Sequence, residues 1–465
     1  MPGPMRIRFG TMTRKKMKKY YFAGIGGSGM SALAQVLRGK GHAVSGSDRS
    51  FDRGLNRRLF TKLQKQGIRL FPQTGEKISG DTDFLIISTA IEKSSPELKK
   101  AKMLGIPVRH RAELLAALFN RSAGIGIAGT SGKSTVCGMV AAVMDRAGMD
   151  PAVINGGIIK QYVSLTALGN AKGGSSAHMV SEVDESDGTI VNFTPDIGVI
   201  TNISRDHKEL RELKMLFSQF GEKTKKCLIV NGDCKNTSKI KGVKRMTFGL
   251  RRENDFYPEN IRYSSWGVAF DCRGESFQLK VPGEHNLQNA LAAVAVGFVL
   301  GIDMKTIKKG LASFKGIKRR LELLGEKNGI QVVDDFAHNP DKVRASLSAL
   351  KHQDNRMVVI FQPHGYGPTR FLREAMARAF SDSLREKDVL MCLPIYDAGG
   401  TADRNISSKD LLSKVKGPKC ICPDSRAAAV LHVQKSVRPG DVCVVMGARD
   451  DTLRVFAGSI LRAIK

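Results

Sequence analysis

Three times along the chain, an apolar segment of strand length runs into a glycine-rich turn and then into a helical pattern. This alternation is typical of parallel sheets that are covered by helices. The strands that open the three units are predicted at residues 20–24, 124–128 and 330–333, and the helix of the first unit at 30–39. The sequence therefore predicts an α/β fold with mainly parallel sheets.

The chain is long enough, at 465 residues, for two to four domains. The strand at 124–128 predicts one boundary near 118–123, and a short basic segment at 314–320 predicts another. Within the central part we expect an irregular basic stretch at 223–252 and a helix that begins at Asn286. The expected domains are a basic tail at 1–17, a Rossmann-like domain at 18–120, a phosphate-loop domain at 121–317 and a second Rossmann-like domain at 318–465.

The formal charge of +30 gives a positive field that attracts polyanions, which makes nucleic-acid binding one alternative function. Against it, the basic residues are spread along the chain, aromatic residues make up only 6%, and no base-stacking or helix-turn-helix pattern is present. A small, multiply anionic substrate such as a nucleotide benefits from the same field.

The composition favours a cytoplasmic protein. No run of 18 apolar residues is present, and the basic first twenty residues lack the apolar stretch of a secretory signal. The eight cysteines are scattered, and the only close pair, Cys420 and Cys422, is spaced too tightly for the usual zinc or redox pattern. We therefore expect reduced thiols and neither export nor a membrane span.

The turn after the strand at 124–128 contains a phosphate-binding loop. Its lysine can contact the β and γ phosphates of a nucleotide, and the hydroxyl of Ser134 can ligate magnesium. The match is to the short G-T-x-G-K-[ST] pattern, because Ile127 stands where the full motif requires glycine. A glycine-rich turn with an exposed lysine is the alternative interpretation. The loop residues are Gly129, Thr130, Ser131, Gly132, Lys133, Ser134 and Thr135.

Acidic residues and a histidine follow the next two strands of this domain, which are predicted at 178–183 and 197–201. Oxygen ligands at the first position can hold the magnesium that bridges nucleotide phosphates, although a solvated turn looks the same. After the second strand, a neutral imidazole at His207 can take a second metal. The acidic residues are Glu182, Asp184, Glu185 and Asp187 after the first strand, and Asp206 after the second.

An earlier glycine-rich turn, at residues 24–29, lets the backbone and a helix N-terminus approach a diphosphate. Asp48 ends the next predicted strand 19 residues after Gly29, where an acid commonly binds a ribose hydroxyl. An NAD-dependent oxidoreductase is therefore a second alternative function, and a turn without a ligand is a third interpretation. A further predicted strand at 84–88 is followed by Thr89 and Ala90.

Taken in order, these segments resemble the motifs of the Mur ligase family over residues 18–463. Five or more motifs in register are not expected by chance. The motifs lie at residues 24–30, 88–91, 129–135, 182–187, 201–203 with 206–207, 283–289 and 335–340.

The resemblance implies an ATP-dependent, ADP-forming ligase of peptidoglycan precursor synthesis. It implies that the N-terminal domain binds UDP-N-acetylmuramate, that the central domain binds ATP with Mg²⁺, and that the C-terminal domain closes to admit an amino acid or short peptide. The lactyl carboxylate of the nucleotide sugar is then joined to the acceptor amine through an acyl phosphate.

The resemblance also implies roles for individual residues. Lys133, His207 and Arg320 are the implied catalytic residues. ATP is bound by the loop at 129–135, with Asn289 at the adenine, Asp335 at the ribose and Arg320 at the reacting phosphate. The implied metal ligands are Ser134, Glu182 and His207. The nucleotide sugar is bound by Gly24, Gly26, Gly27, Ser28, Gly29, Met30, Asp48, Ser88, Thr89 and Ala90.

At the acceptor site the chain departs from the alanine-adding members of the family, which usually carry arginine where Gly365 and Pro368 stand. Arginine suits bidentate binding of an amino-acid carboxylate. Segments 283–286 and 319–326 are similar to members that add a tripeptide to the same nucleotide sugar. We expect L-alanine as the acceptor, with the tripeptide as the alternative. The expected acceptor-binding residues are His338, His364 and Arg370.

Overall fold

A computed structural model describes residues 17–186, 188–204, 209–351, 355–397 and 403–464. The chain divides into two compact units. The first contains residues up to Leu114 and Leu165–Ala167, and the second contains Leu115–Ser164 and the chain from Leu168 onward. No helix among the described residues is long and apolar enough to cross a bilayer.

The first unit is a parallel sheet with strand order β3-β2-β1-β4-β5. Since the order reverses direction at β1 and β4, the carboxyl ends of these two strands flank the crevice in which α/β sheets bind ligands. The strands are β1 (Lys19–Ala23), β2 (Ala43–Ser47), β3 (Arg69–Phe71), β4 (Phe84–Ile87) and β5 (Val108–His110), and the helices are α1 (Ser28–Gly39), α2 (Arg49–Asp52), α3 (Arg57–Lys65), α4 (Pro96–Met103) and α5 (Arg111–Phe119).

The second unit begins with a seven-stranded sheet of order β12-β11-β10-β6-β9-β7-β8, which is parallel except at its β7–β8 edge. The strands of this sheet are β6 (Ala123–Ala128), β7 (Ala152–Ile154), β8 (Ala171–Lys172), β9 (His178–Glu182), β10 (Ile197–Ile200), β11 (Cys227–Asn231) and β12 (Arg245–Phe248). The helices of this part are α6 (Lys133–Arg146), α7 (Leu210–Glu222), α8 (Glu284–Val299) and α9 (Met304–Ser313), with 3₁₀ turns at Lys160–Tyr162 and Thr189–Asn192.

Helix α6 lies at the centre of this core because residues 134–144 are all buried and most of them are apolar. It packs against α8 and α9. The contact with α9 is close enough that a Cβ at Gly310 would lie 2.6 Å from the Val143 Cα atom. The helix that follows the phosphate loop is thus held firmly against the sheet.

One expectation for the central part is wrong, and one element of it was not predicted. The stretch at 223–252 contains strands β11 and β12, because the apolar segment Cys227–Asn231 fills a fully buried position beside β10. The part that follows forms an antiparallel sheet that the sequence pattern did not reveal. Its strands are β13 (Glu259–Ser264), β14 (Gly267–Cys272) and β15 (Glu275–Leu279).

The C-terminal part of the second unit is a six-stranded sheet of order β16-β17-β21-β18-β19-β20, parallel except between β16 and β17. Its strands are β16 (Glu322–Lys327), β17 (Ile330–Asp335), β18 (Met357–Phe361), β19 (Val389–Cys392), β20 (Lys419–Ile421) and β21 (Val442–Met446). Its helices are α10 (Pro340–Leu350), α11 (Tyr366–Ser383), α12 (Ser408–Leu412), α13 (Arg426–Ser436) and α14 (Leu453–Ala463).

Both faces of this sheet are buried, as is typical of parallel sheets. Successive residues of a strand point to opposite faces, so that Val333 and Val359 pack with α10 and α11 while Val332 and Val358 pack with α14. The α/β fold with mainly parallel sheets is therefore confirmed.

Candidate active site

The phosphate loop joins β6 to α6 through two glycines with left-handed backbone. Gly129 has a φ of 127° and Gly132 a φ of 91°. A Cβ atom at Gly129 would lie 2.1 Å from the Thr201 hydroxyl, and one at Gly132 would lie 2.6 Å from Asn289 Oδ1. Glycine is required at both positions by backbone conformation and by crowding.

The chain that leaves β10 braces this loop. The Thr201 hydroxyl donates to the Ser131 carbonyl over 2.6 Å, and Asn202 exchanges two 3.0 Å hydrogen bonds with the Ser131 backbone. The Thr130 hydroxyl accepts from the Ser204 amide over 3.1 Å. A loop held in this way receives an anion without reorganising.

Lys133 is the first residue of α6. Its ammonium donates to Glu185 Oε2 over 2.8 Å and to the Gly129 carbonyl over 2.7 Å. Burial lowers the pKa of Lys133, but the carboxylates of Glu185 and Asp184 outweigh burial and raise this pKa above its ordinary value. Burial also raises the pKa of Glu185, against the opposing effect of Lys133. The lysine is therefore a permanent cation at the floor of the loop.

Glu182 and Ser134 lie on either side of the turn at Gly156 and Gly157. A Cβ at Gly156 would be 2.8 Å from Glu182 Oε2, and one at Gly157 would be 3.6 Å from Ser134 Oγ. Glu182 Oε1 is buried and has no hydrogen-bond partner in the part of the chain that the structure describes. An unpartnered carboxylate near a hydroxyl fits a hard cation such as magnesium.

Asn155 is a buried side chain at the same edge of the sheet that the sequence analysis missed. It follows β7, which pairs with β9 and thus ends beside Glu182. It is 1% exposed, and neither its Oδ1 nor its Nδ2 atom has a partner among the described residues. An unsatisfied buried polar group costs roughly 1–3 kcal/mol, so Asn155 is a candidate ligand contact. A lone asparagine carries no spacing pattern that could have identified it.

A cavity of about 330 Å³ extends from the phosphate loop between the central and C-terminal parts of the second unit. It brings together three residues predicted for ATP binding, Asn289, Arg320 and Asp335. Several other lining residues had no predicted role, and three of them lie in or just after strands β11 and β12, which were not predicted. These residues are Asn231, Cys234, Phe248, Gln288, Lys342 and Ser346.

Arg320 has no side-chain hydrogen bond or ion pair with any described residue, and its guanidinium lies 5.1 Å above the ring of Phe336. Burial lowers the pKa of Arg320, and the nearby carboxylates of Asp335 and Glu182 counteract this effect. Burial raises the pKa of Asp335. Arg320 is thus a stacked cation that can accept a phosphate without breaking another contact.

A second cavity, of about 270 Å³, lies in the C-terminal part. It contains two residues predicted for acceptor binding, His338 and His364, whose ring centres are 5.3 Å apart. Nδ1 of His338 lies 2.8 Å from the Phe336 carbonyl, which fixes the proton on Nδ1. Burial and Lys342 lower the pKa of His338 to about 3, so its ring is neutral at physiological pH.

Arg370, the third residue predicted for acceptor binding, does not line this cavity. It is exposed on α11 and forms an ion pair with Asp403 over 2.9 Å. Its predicted role gains no support from its position.

In the first unit, the glycine turn follows β1 and leads into α1. The amides of Gly24 and Ile25 donate to the Ser47 carbonyl over 2.8 and 3.0 Å, and the Gly26 amide donates to Asp48 Oδ2 over 2.8 Å. Asp48 Oδ1 accepts from the Ser50 amide over 2.8 Å and caps α2. Both carboxylate oxygens of Asp48 thus accept hydrogen bonds from backbone amides and stabilise the turn.

The other residues predicted to bind the nucleotide sugar differ in how far they are exposed to solvent. Gly27 and Ser28 are exposed at the start of α1, and Thr89 and Ala90 are exposed just after β4, at the neighbouring strand end. Met30 is 2% exposed and packs in the core. Its Cγ atom would lie 3.7 Å from a Cβ atom at Gly27, so the side chain packs beneath the turn.

Three predicted positions lie outside the described residues. They are His207, predicted as a metal ligand and catalytic residue, its neighbour Asp206, and Asp187 of the acidic cluster.

Family models match most of the chain. The Mur ligase family catalytic domain matches residues 19–123, the Mur ligase middle domain matches residues 127–297, and the Mur ligase glutamate ligase domain matches residues 319–449.

Curated relatives are similar over nearly their whole length. The UDP-N-acetylmuramate–L-alanine ligase of Carboxydothermus hydrogenoformans is 36% identical over 463 residues, which cover 95% of this chain and 96% of the relative. The protein of the same name from Synechococcus sp. is 38% identical over 472 residues, covering 96% and 94%.

Solved structures agree with these matches. The UDP-N-acetylmuramate–alanine ligase of Thermotoga maritima is 27% identical with a TM-score of 0.78, over 96% of this chain and 98% of that one. The murein peptide ligase of Psychrobacter arcticus has a TM-score of 0.65 over the same shares but is only 20% identical, so it shares the fold. With three family models in order and relatives this similar over their full length, the chain belongs to the Mur ligase family.

Proposed function

We propose that this chain is an ADP-forming ligase that joins L-alanine to the lactyl carboxylate of UDP-N-acetylmuramate in peptidoglycan precursor synthesis. The observation that carries the proposal is the full-length match to relatives named UDP-N-acetylmuramate–L-alanine ligase, at 36–38% identity. The murein peptide ligase alternative is less well supported, since that structure is 20% identical. Neither an NAD-dependent oxidoreductase nor a nucleic-acid-binding protein fits the family.

The larger cavity suits ATP. Lys133 and the amides of the phosphate loop are the proposed phosphate contacts. Asn289, which lies against Gly132, is the proposed adenine contact, and Asp335 is the proposed ribose contact. Arg320 lies where a transferred phosphoryl group would meet the C-terminal part. Cationic groups in this arrangement stabilise the charge that grows on the γ-phosphate oxygens during transfer.

Magnesium would be held by Glu182 and Ser134, with His207 as the proposed ligand of a second ion. Bound magnesium would neutralise part of the negative charge of the phosphates. Glu182 Oε1, buried without a described partner, supports this assignment.

The chemistry has two steps. The lactyl carboxylate oxygen attacks the γ-phosphorus of ATP, the bond to the β–γ bridging oxygen breaks, and ADP leaves an acyl phosphate behind. The acceptor amine then attacks the acyl carbon, phosphate leaves and the amine loses a proton. With its own proton held on Nδ1, His338 can accept a hydrogen bond from the acceptor amine at Nε2, and the departing phosphate takes up the proton that the amine loses.

The nucleotide sugar is assigned to the first unit. Gly27 and Ser28 are exposed at the start of α1, where a helix N-terminus suits its diphosphate. All eight cysteines are free thiols, in keeping with a proposed location in the reducing, ATP-containing cytoplasm.

The proposal is tested by product formation. Purified protein with ATP and magnesium is supplied with UDP-N-acetylmuramate and, separately, L-alanine, glycine, L-serine or the tripeptide. We expect phosphate release only when nucleotide sugar and amine are both present, and a product with the mass of the L-alanine amide.

Lys133→Met should reduce turnover by about 10²–10⁴-fold, because it removes the cation that faces the transferred phosphate. Lys235→Met, at an exposed lysine, is the matched control and should retain wild-type turnover. Phosphate release that needs no amine, or a clear preference for the tripeptide, would contradict the assignment of L-alanine.

A further inference from the structure

Arg449 lines the smaller cavity with a guanidinium that no described residue engages. No hydrogen bond or ion pair joins its side chain to the part of the chain that the structure describes. The residue is exposed and lies in the loop that follows β21. Two other arginines that contact this loop, Arg319 and Arg426, each form an ion pair with a carboxylate.

The backbone of Arg449 is left-handed, with a φ of 63°. A non-glycine residue in this region costs free energy and persists only where its surroundings hold it there. Glycine would adopt this backbone conformation without strain and would fit the loop equally well. The presence of arginine at a position that lines a cavity therefore indicates a function for its side chain.

Two arginines hold the loop on either side of Arg449. Arg319 donates to the Gly447 carbonyl over 2.9 Å and to the Asp450 carbonyl over 3.4 Å. Arg426 binds the Asp450 carboxylate, which also accepts from the Thr452 amide over 2.9 Å. The position of Arg449 is therefore determined by contacts that do not involve its own side chain.

The charge of the cavity points to an anion. None of its described lining residues is acidic, and most are apolar, Phe361, Phe371 and Met376 among them. His338 is neutral, so the guanidinium of Arg449 is the fixed charge of the described wall.

The segment after β17 connects this cavity to the ATP cavity. Asp335 and Ala337 line the larger cavity, while His338 and Asn339 line the smaller one. The two cavities are thus lined by neighbouring residues of one segment, and a molecule in the smaller cavity lies next to the segment that lines the proposed phosphoryl-transfer site. ATP and the nucleotide sugar are already assigned to other parts of the protein. The amine acceptor, which carries a carboxylate, still needs a site.

We propose that Arg449 binds the carboxylate of the acceptor amino acid and orients its amine toward His338. This inference rests on the proposed ligase function and adds a residue that determines acceptor specificity. It also accounts for how a chain with glycine at 365 and proline at 368, where the alanine-adding members usually carry arginine, can bind an amino-acid carboxylate.

The test compares L-alanine with L-alaninamide, which has the amine but lacks the carboxylate. Wild-type protein should prefer L-alanine strongly in kcat/KM. Arg449→Gly keeps the left-handed backbone without strain, and we expect it to raise the KM for L-alanine at least tenfold, with the KM for ATP within twofold of wild type. Its preference for L-alanine over the amide should fall at least tenfold.

Arg449→Lys should recover part of the affinity for L-alanine, because an ammonium retains the charge but not the bidentate geometry. Arg378→Ala, at an exposed arginine of α11, is the control and should match wild type.

An unchanged KM for L-alanine in Arg449→Gly, or an equal loss toward L-alanine and its amide, would overturn the role of Arg449. Neither result affects the ligase function, which stands if wild-type protein makes the amide. If wild-type protein uses no amine acceptor at all, the proposed function fails and this inference fails with it.

Discussion

Glu182 has a carboxylate in an unusual state. One of its oxygens is buried without a partner among the described residues, although the free energy of leaving a buried charged group unpaired is large. Ser134 lies across the same glycine turn. The local chemistry is that of a site prepared for a cation, and this gives the proposed magnesium requirement a measurable consequence.

Glu182→Gln should raise the magnesium concentration that gives half-maximal turnover by at least tenfold, because it replaces a charged oxygen ligand with a neutral amide. The measurement is a magnesium titration of phosphate release at saturating ATP. Asp184→Asn is the control, since Asp184 is exposed and its carboxylate accepts from the Ser186 amide. Equal magnesium dependence in the two variants would show that Glu182 is not a ligand.

Individual site residues could be predicted from sequence only where they belong to a pattern. Lys133 and Glu182 follow strands at typical spacings, and the structure places both at the carboxyl edge of the central sheet. Asn155 and Arg449 belong to no spacing pattern, and their significance depends on burial, on missing partners and on backbone conformation. These properties exist only after folding.

At the scale of elements, the phosphate loop is determined as much by its neighbours as by its own sequence. Thr201 and Asn202 hold its backbone, and Asn289 of α8 fills the space that a side chain at Gly132 would need. The loop is therefore a joint product of β6, β10 and α8.

Gly132→Ala should raise the KM for ATP by about 10–100-fold, because the methyl group displaces Asn289 or shifts the loop. Gly148→Ala is a matched control: its φ is also positive, at 73°, but nothing lies within 4 Å of the added atom. Both variants carry backbone strain of about 1–2 kcal/mol, and only the first should affect ATP. Equal KM values for ATP in both would contradict the role given to Asn289.

Strands with a clear apolar segment were predicted well, both where glycine follows, as at β1 and β6, and where a polar residue follows, as at β4, β9 and β10. Other strands were missed. Strand β11 was missed because basic residues surround its short apolar core. Strand β13 is largely exposed and carries little apolar periodicity, so the antiparallel sheet had no sequence signal.

At the scale of the whole molecule, the order of weak motifs was more informative than any one of them, and the membership in the Mur ligase family that it predicted is confirmed. The domain boundaries near residues 120 and 317 remain predictions. What sequence could not show is how the central and C-terminal parts of the second unit enclose one cavity, because Asn289 and Asp335 are brought together only by packing between elements distant in the chain.

The enclosed cavity also affects stability in acid. Burial, followed by the charge of Arg320, lowers the pKa of His285 to about 4, and the pKa of His338 is lowered to about 3. In the unfolded chain both histidines titrate near 6.5. Between pH 6.5 and about 4 the unfolded state therefore binds more protons at these residues than the folded state does, and they make stability fall as the pH falls.

The substitution His285→Gln removes one of the two groups that bind a proton more readily in the unfolded state than in the folded state. Buried Asp334, whose pKa is raised to about 6, acts in the opposite direction, but it is common to wild type and variant. The free energy of unfolding of wild-type protein should thus fall more steeply below pH 6.5 than that of His285→Gln, by up to about 1.4 kcal/mol per pH unit. Urea unfolding at pH 7.0 and 5.0 measures this through the emission of Trp266, the single tryptophan, which packs against the C-terminal core. His110→Gln, at an exposed histidine, is the control, and a pH dependence of unfolding in His285→Gln as steep as in wild type would show that His285 is not held neutral by the fold.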